Sequence, residues 1–197
     1  GGPQARGQSD SKSIPFTLAS VNVQNLFDIY DDPYTEDETT HPKSRAGMAA
    51  VAEAVKQLDA DFVGIQEIER EGILRRFITW YLPEATYTRT WVNRHPGRRG
   101  INVGFMSRNP VESWTVYRYK TLRVPDDERT WTFARDLVAA HVRPDGGPVV
   151  HVLIAHFKSK RDSKDDPESR NWRLAEARGV REIVLDFRER DPQAMYA

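Results

Sequence analysis

Three short strings could carry chemistry: Ser20-Val21-Asn22-Val23-Gln24-Asn25, Gly64-Ile65-Gln66-Glu67 and Ile154-Ala155-His156-Phe157-Lys158-Ser159. Each starts as a hydrophobic run with β character and finishes in amide, carboxylate, imidazole or ammonium groups. Neighbouring strands that all end this way gather hard oxygen ligands, a titratable nitrogen and a cation at one edge of a sheet. That set suits metal-assisted attack on a phosphate ester.

Taken singly, each residue has a functional and a plainer reading. Glu67 follows Phe62-Val63-Gly64-Ile65, so its backbone is pinned and its carboxylate lies at a strand end, where it is a natural Mg²⁺ ligand. The plainer reading is a surface glutamate opening a loop. Asn22 and Asn25 sit where an asparagine commonly serves a turn, and only a convergent partner makes either one a phosphate or metal contact. His156 follows the apolar run Val152 to Ala155 and precedes Lys158, Ser159, Lys160 and Arg161. Its imidazole could bond or protonate a phosphoryl oxygen that Lys158 and Ser159 steady, or it is a satisfied core histidine beside a solvated basic loop. Arg135 interrupts a strand in Phe133-Ala134-Arg135-Asp136-Leu137; it faces a phosphate, or pairs with Asp136 or another carboxylate. Arg94, His95, Arg98 and Arg99 form a solvated hairpin tip or an electrostatic grip on a polyanion.

The elements that must position these groups are legible in outline. Residues 1–13, rich in Gly, Gln and Ser, read as a flexible tail, with one domain from 14 to 197. A strand runs from Ile14 to Val23, entering at Pro15. The acidic stretch Asp28 to Thr40 reads as a solvated loop, with a calcium site as its alternative. Met48, Val51, Ala52, Val55 and Leu58 place a helix over Lys43 to Leu58. A short buried strand covers Asp61 to Gln66. Ile73, Leu74, Phe77, Ile78 and Tyr81 mark a second helix that stops near Pro83. The period then changes to two over 86–92, 101–107, 111–119, 131–143 and 148–155, with Asp145-Gly146-Gly147 as a hairpin turn. A polar loop leads to Pro167. The last helix spans Glu168 to Arg190, its buried side drawn from Trp172, Ala175, Val180, Ile183, Val184 and Phe187. No internal repeat is present. Helices between early strands, then a run of antiparallel strands, predict mixed α/β with sheet packed on sheet and helices outside.

Composition narrows the function classes. The chain of 197 residues is 39% hydrophobic and 29% charged, and Lys+Arg equals Asp+Glu at 29 each. No global field draws it to nucleic acid or to an anionic membrane, so any polyanion must be held by a local basic cluster. Cysteine is absent, which removes disulfides, thiolate nucleophiles and Cys-based zinc sites. No run is long enough for a transmembrane segment, and no signal peptide is read in these residues. The compartment is left open, with a secreted or periplasmic setting favoured.

The ordered succession Ala19 to Asp28, Asp61 to Glu67, Gly100 to Arg108, Phe133 to Asp136 and His156 to Ser159 resembles the endonuclease/exonuclease/phosphatase superfamily, whose members include DNase I-like nucleases, abasic-site endonucleases, inositol polyphosphate 5-phosphatases and neutral sphingomyelinases. The resemblance implies a four-layered α/β sandwich with its site at the strand ends. It further implies Mg²⁺ (Mn²⁺ as substitute) on Glu67, with Asn22 in the metal and phosphate network and His156 in catalysis at the scissile phosphate. Arg135 would reach a substrate phosphate, with Lys158, Ser159 and Asn25 as further phosphate contacts. Two departures stand out. Many relatives carry Asn where Ile154 stands, and the family's later Gly-Asp-x-Asn and Ser-Asp-His strings are absent. The expectation is therefore a sandwich incomplete at its C-terminus, as part of a longer polypeptide or beside a complementing chain, and poorly active because a general base contributes about 10²–10⁴-fold. The expected activity is metal-dependent hydrolysis of DNA or RNA phosphodiesters. The alternatives are a phosphatase or lipid phosphodiesterase of the same fold, a non-catalytic phosphate- or nucleic-acid-binding module, and an inert structural domain.

Overall fold

The computed structural model describes residues 15–30, 33, 35–36, 40–94 and 99–197. The expected N-terminal tail, much of the acidic Asp28–Thr40 stretch, and His95 and Arg98 fall outside them. In chain order the elements are β1 (Leu18–Leu26), α1 (Arg45–Leu58), β2 (Phe62–Ile68), α2 (Glu71–Tyr81), β3 (Arg89–Val92), β4 (Asn102–Ser107), β5 (Val111–Tyr117), β6 (Leu137–Val142), β7 (Val150–Ile154), α3 (Arg170–Arg190) and β8 (Met195–Tyr196).

Local chemistry sets the helix limits. Ser44 caps α1 by accepting the Gly47 N–H at 3.1 Å, and Asp59 closes it in a left-handed conformation. Helix α3 is capped from outside its own first turn: both Asp166 carboxylate oxygens accept backbone N–H groups, from Asn171 and Trp172, at 3.0 Å. A short 3₁₀ turn at Pro167–Ser169 precedes it, so the regular helix starts later than the apolar pattern suggests.

Two four-stranded sheets form, ordered β1-β2-β4-β3 and β5-β6-β7-β8. Pairing is parallel for β1·β2 and β7·β8 and antiparallel elsewhere. Three apolar layers hold them. Met48, Ala52 and Val55 of α1 and Ile73, Leu74 and Phe77 of α2 meet Val63 and Ile65 of β2. Phe62, Val103 and Phe105 meet Val138, Ala140, Val152 and Ile154 between the sheets. Leu137 and Ala139 meet Ala175, Ile183 and Phe187 of α3. Successive residues of β2 and β6 thus enter different cores, as a strand period of two requires. The result is the expected four-layered α/β sandwich, helices outside.

The observed strands are shorter than the alternation predicted. Residues 131–136 lie outside β6, and Trp131 makes only an isolated bridge to Leu122; Arg135 therefore precedes a strand and does not interrupt one. The first strand runs to Leu26, beyond Val23. The Asp145-Gly146-Gly147 turn does join β6 to β7, with Gly146 at φ +70.

The strand directions gather one end of the molecule. The C-terminal ends of β1, β2, β3, β5 and β7 and the N-terminal ends of β4 and β6 lie together there. Buried Asp136 stitches the two sheets at that end. It accepts from Asn93 Nδ2 beyond β3 at 2.5 Å and from Arg118 Nε beyond β5 at 2.8 Å.

Two tests address this packing. A Cβ on Gly104 would lie 2.5 Å from the Trp91 carbonyl oxygen on the neighbouring strand, whereas one on Gly72 meets nothing within 4 Å. Gly104→Ala should lower the unfolding free energy by about 1–3 kcal/mol in urea titration, with Gly72→Ala not below wild type. The second concerns the cross-strand pair His141 and His151, whose Nδ1 atoms lie 2.5 Å apart. Burial first, then His151, push the His141 imidazole below its ordinary 6.5, against the pull of Glu112. The unfolded chain takes up that proton as pH falls through 6.5 while the folded chain resists, so stability is lost toward acid pH. Urea midpoints at pH 7.5 and 5.5 should differ more for wild type than for His141→Phe; equal differences would discard the assignment.

Candidate active site

The gathered end owes its side-chain arrangement to a broken ladder. β1 and β2 pair regularly to Asn22↔Gln66 and resume at Leu26↔Ile68, and β2 and β4 skip the same residue between Gln66↔Val103 and Ile68↔Asn102. The skipped residue is Glu67, at φ +64, and across the gap Gln24 and Asn25 are left-handed at +51 and +59. A bulge frees a side chain from the alternation that would otherwise send it into one of the cores. β2 runs to Ile68 and not to Gln66 as expected, so Glu67 lies within its last residues and owes its exposure to the bulge. Two further contacts fix the gap. Asn22 Oδ1 accepts the Gln24 N–H at 2.8 Å, and Asn102 Nδ2 donates to the Glu69 carbonyl at 2.7 Å.

His156 lies just beyond β7, and its Nε2 is 3.6 Å from Glu67 Oε1. Its Nδ1 is buried without a hydrogen-bond partner among the described residues, which does not match a satisfied core histidine. Burial, then the charges of Arg135 and Arg99, hold the imidazole below its usual range, with Glu67 pulling the other way. Arg135 is partly buried and makes no hydrogen bond or ion pair among the described residues. It couples electrostatically to Arg99, Glu176 and Glu67. Asp136, proposed as its partner, is taken by Asn93 and Arg118.

The remaining expected residues are placed less centrally. Lys158 Nζ stands 5.5 Å over the Trp172 ring, a cation–π contact that holds the loop after His156. Ser159 is exposed and is not brought to Glu67 or His156 by any hydrogen bond. Asn25 Oδ1 is buried and unpartnered among the described residues.

The sequence reading missed Glu176 and undervalued Arg99. Glu176 is fully buried on α3; Oε1 accepts the Ala134 N–H at 2.8 Å and Oε2 the Lys158 N–H at 2.7 Å. A carboxylate next to Ala175 on the apolar stripe of a helix was the available signal. Arg99 reads from sequence as part of a solvated tip or of a grip on a polyanion, and its charge reaches both Arg135 and His156.

Among the described residues no three or more His, Asp or Glu side chains form a group that could hold a metal ion. Mg²⁺ asks for less: it keeps several waters and rests on one or two carboxylates, with substrate phosphate supplying further oxygens. Glu67, with the amide oxygens of Asn22 and the unpartnered Asn25 on the adjacent strand, fits that donor set.

Residues 17–196 match the profile of the Endonuclease/Exonuclease/phosphatase family. Among solved structures, a β-hairpin deletion mutant of beta toxin from Staphylococcus aureus is similar at 15% identity and TM-score 0.53, covering 90% of this chain and 62% of that one. TDP2 from Caenorhabditis elegans gives 18% and 0.48, covering 76% and 39%. A family protein from Leptotrichia buccalis gives 14% and 0.45, covering 75% and 57%. The chain thus spans less than two thirds of each of these structures. No curated protein matches the sequence.

The bulge makes a stability prediction separable from activity. A non-glycine residue in the left-handed region costs about 1–2 kcal/mol, so Glu67→Gly should be more stable than Glu67→Ala by roughly 1 kcal/mol in urea or thermal unfolding. The opposite order, expected in a regular strand, would mean the bulge is not formed.

Proposed function

Because the chain belongs to the endonuclease/exonuclease/phosphatase family, we propose that it is a divalent-metal-dependent phosphodiesterase, using Mg²⁺ or Mn²⁺ and acting on nucleic acid. The observation that carries the reading is the convergence of Glu67 and His156 at 3.6 Å, coupled to an Arg135 guanidinium that makes no ion pair among the described residues. A cation without an ion-pair partner near a hard anionic ligand suits a phosphodiester better than a neutral substrate.

Glu67 would hold the metal, with Asn22 and Asn25 on the paired strand as further oxygen donors. When bound, the ion polarises a phosphoryl oxygen and lowers the pKa of coordinated water. Arg135 and Arg99 would face the negative charge that the phosphoryl oxygens carry, while the charge developing as the ester bond breaks goes to the leaving-group oxygen. Burial and the two arginines keep His156 neutral near pH 7. Its Nε2 is then available for a hydrogen bond to a non-bridging oxygen, since Glu67 at 3.6 Å is too far to form one. Lys158, Lys160 and Arg161 follow His156 in the chain, and such a run of cations favours a polymer with several phosphates over a single phosphomonoester.

The test is hydrolysis of supercoiled plasmid and of bis(4-nitrophenyl) phosphate with Mg²⁺ or Mn²⁺, with EDTA and Glu67→Ala as controls. Turnover should require the metal, and Glu67→Ala should lose at least about 100-fold. Plasmid cleavage should fall steeply with salt while the small ester responds little. Phosphate or DNA binding without turnover under either ion would leave a binding module; salt-insensitive cleavage of small or lipid esters alone would replace the nuclease assignment.

A further inference from the structure

Two segments carry the groups that would face the phosphoryl group: Ala134-Arg135-Asp136 before β6, and His156-Phe157-Lys158 after β7. Neither segment is in a strand, so sheet hydrogen bonding does not fix the distance between them. One side chain does. Glu176, buried on α3, accepts the Ala134 N–H with one oxygen at 2.8 Å and the Lys158 N–H with the other at 2.7 Å.

We propose that Glu176 is a positioning residue that holds Arg135 and His156 at a single spacing, by gripping one backbone N–H in each of their two loops. The proposal rests on the phosphodiesterase reading of the same site. A carboxylate suits this task and its amide isostere does not. A carboxylate presents two acceptors, one per loop, whereas Gln presents one acceptor and an NH₂ group that would confront the second N–H. The geometry also accounts for a charge at zero exposure on the buried face of a helix. Such a group is costly unless its lone pairs are satisfied. Burial raises the Glu176 carboxyl above its usual range, against the opposing pull of the two backbone donors and of the Arg135 and Lys158 charges.

The experiment compares wild type, Glu176→Gln, Glu176→Ala and, as a control, Glu182→Gln, an exposed carboxylate on the same helix that pairs with Lys120. Three quantities are read: amide hydrogen exchange at Ala134 and Lys158, kcat and KM on bis(4-nitrophenyl) phosphate, and the thermal shift produced by Mn²⁺ alone. Glu176→Gln should stay folded by circular dichroism and keep the Mn²⁺ shift, which reports Glu67. Exchange at one or both amides should rise at least about tenfold. A misplacement near 1 Å between positioning groups costs on the order of 10²-fold, so kcat should fall about 10–100-fold with KM changed less than about threefold. Glu182→Gln should match wild type throughout.

A Glu176→Gln protein with unchanged kcat overturns the positioning role whatever its exchange rates. A kcat loss that merely tracks the unfolded fraction also overturns it, by making Glu176 structural only. Wild-type protein with no turnover sinks the phosphodiesterase reading instead. In that case exchange still decides the clamp, and unchanged protection at both amides in Glu176→Gln and Glu176→Ala rejects it.

Discussion

A β-strand must send alternate side chains to opposite faces, and here both faces of the first sheet are closed by apolar layers. Phe62 enters the core between the sheets and Val63 the core under α1 and α2. A carboxylate on such a strand would be driven into hydrocarbon unless the alternation were broken. The break is Glu67, skipped by both neighbouring strands and held at φ +64. Backbone conformations of this kind cost about 1–3 kcal/mol each and persist only where the surroundings over-determine them. The surroundings do so: Gln66 and Ile68 are still paired on both sides, the Asn22 side chain turns the facing strand, and Asn102 ties the end of β2 to the start of β4. The rest of the site can face Glu67 because this one residue leaves the ladder.

Charge at the site is arranged in two tiers. Glu67, His156, Arg135 and Arg99 couple to one another at the open end. Behind them lie two fully buried carboxylates, Asp136 and Glu176, each satisfied by hydrogen-bond donors and each anchoring a loop. Asp136 joins the ends of the two sheets, and Glu176 joins two loops to α3. Asp136 pairs with the partly exposed Arg118, whereas the bonds of Glu176 go to backbone N–H groups, and salt screens buried groups such as these only weakly. The open tier can therefore respond to a ligand while the buried tier keeps its geometry.

The layer order was legible because period-two and period-3.6 patterns are direct consequences of burial. Met48, Val55 and Phe77 were readable as core for that reason. Strand limits in 131–143 were not, since Trp131, Phe133 and Leu137 look like alternation but Trp131 and Phe133 pack as loop residues beneath α3. The strings containing Glu67 and His156 were legible as polar strand ends, and the structure brings these two side chains to 3.6 Å of each other. What the sequence could not convey was the bulge, because a left-handed glutamate has no compositional mark comparable to glycine. Glu176 was hidden differently: in a helix with arginines and glutamates on its exposed face, one more glutamate draws notice only if its place on the apolar stripe is counted. Arg99 stood out only as one of a basic cluster, since its coupling to Arg135 depends on how the ends of two separate sheets meet.

The segment 134–136 shows how preorganisation can be achieved without tying up the functional group. Ala134 is fixed through its N–H by Glu176, and Asp136 through its carboxylate by Asn93 and Arg118. Arg135 lies between two anchors that belong to its neighbours, so its backbone position is set without any bond from its own guanidinium. An arginine held instead by an ion pair would have to break that pair before binding a phosphate, and the exchange would cancel much of the gain. Here the ordering cost of the backbone is met during folding and the five N–H donors remain for the ligand. The residual penalty is a partly desolvated cation next to a second arginine, which holds its pKa below the usual arginine range. On the proposed reading, an incoming phosphoryl group would relieve that penalty, so the same strain that makes the arginine pair unfavourable would add to the affinity for an anion.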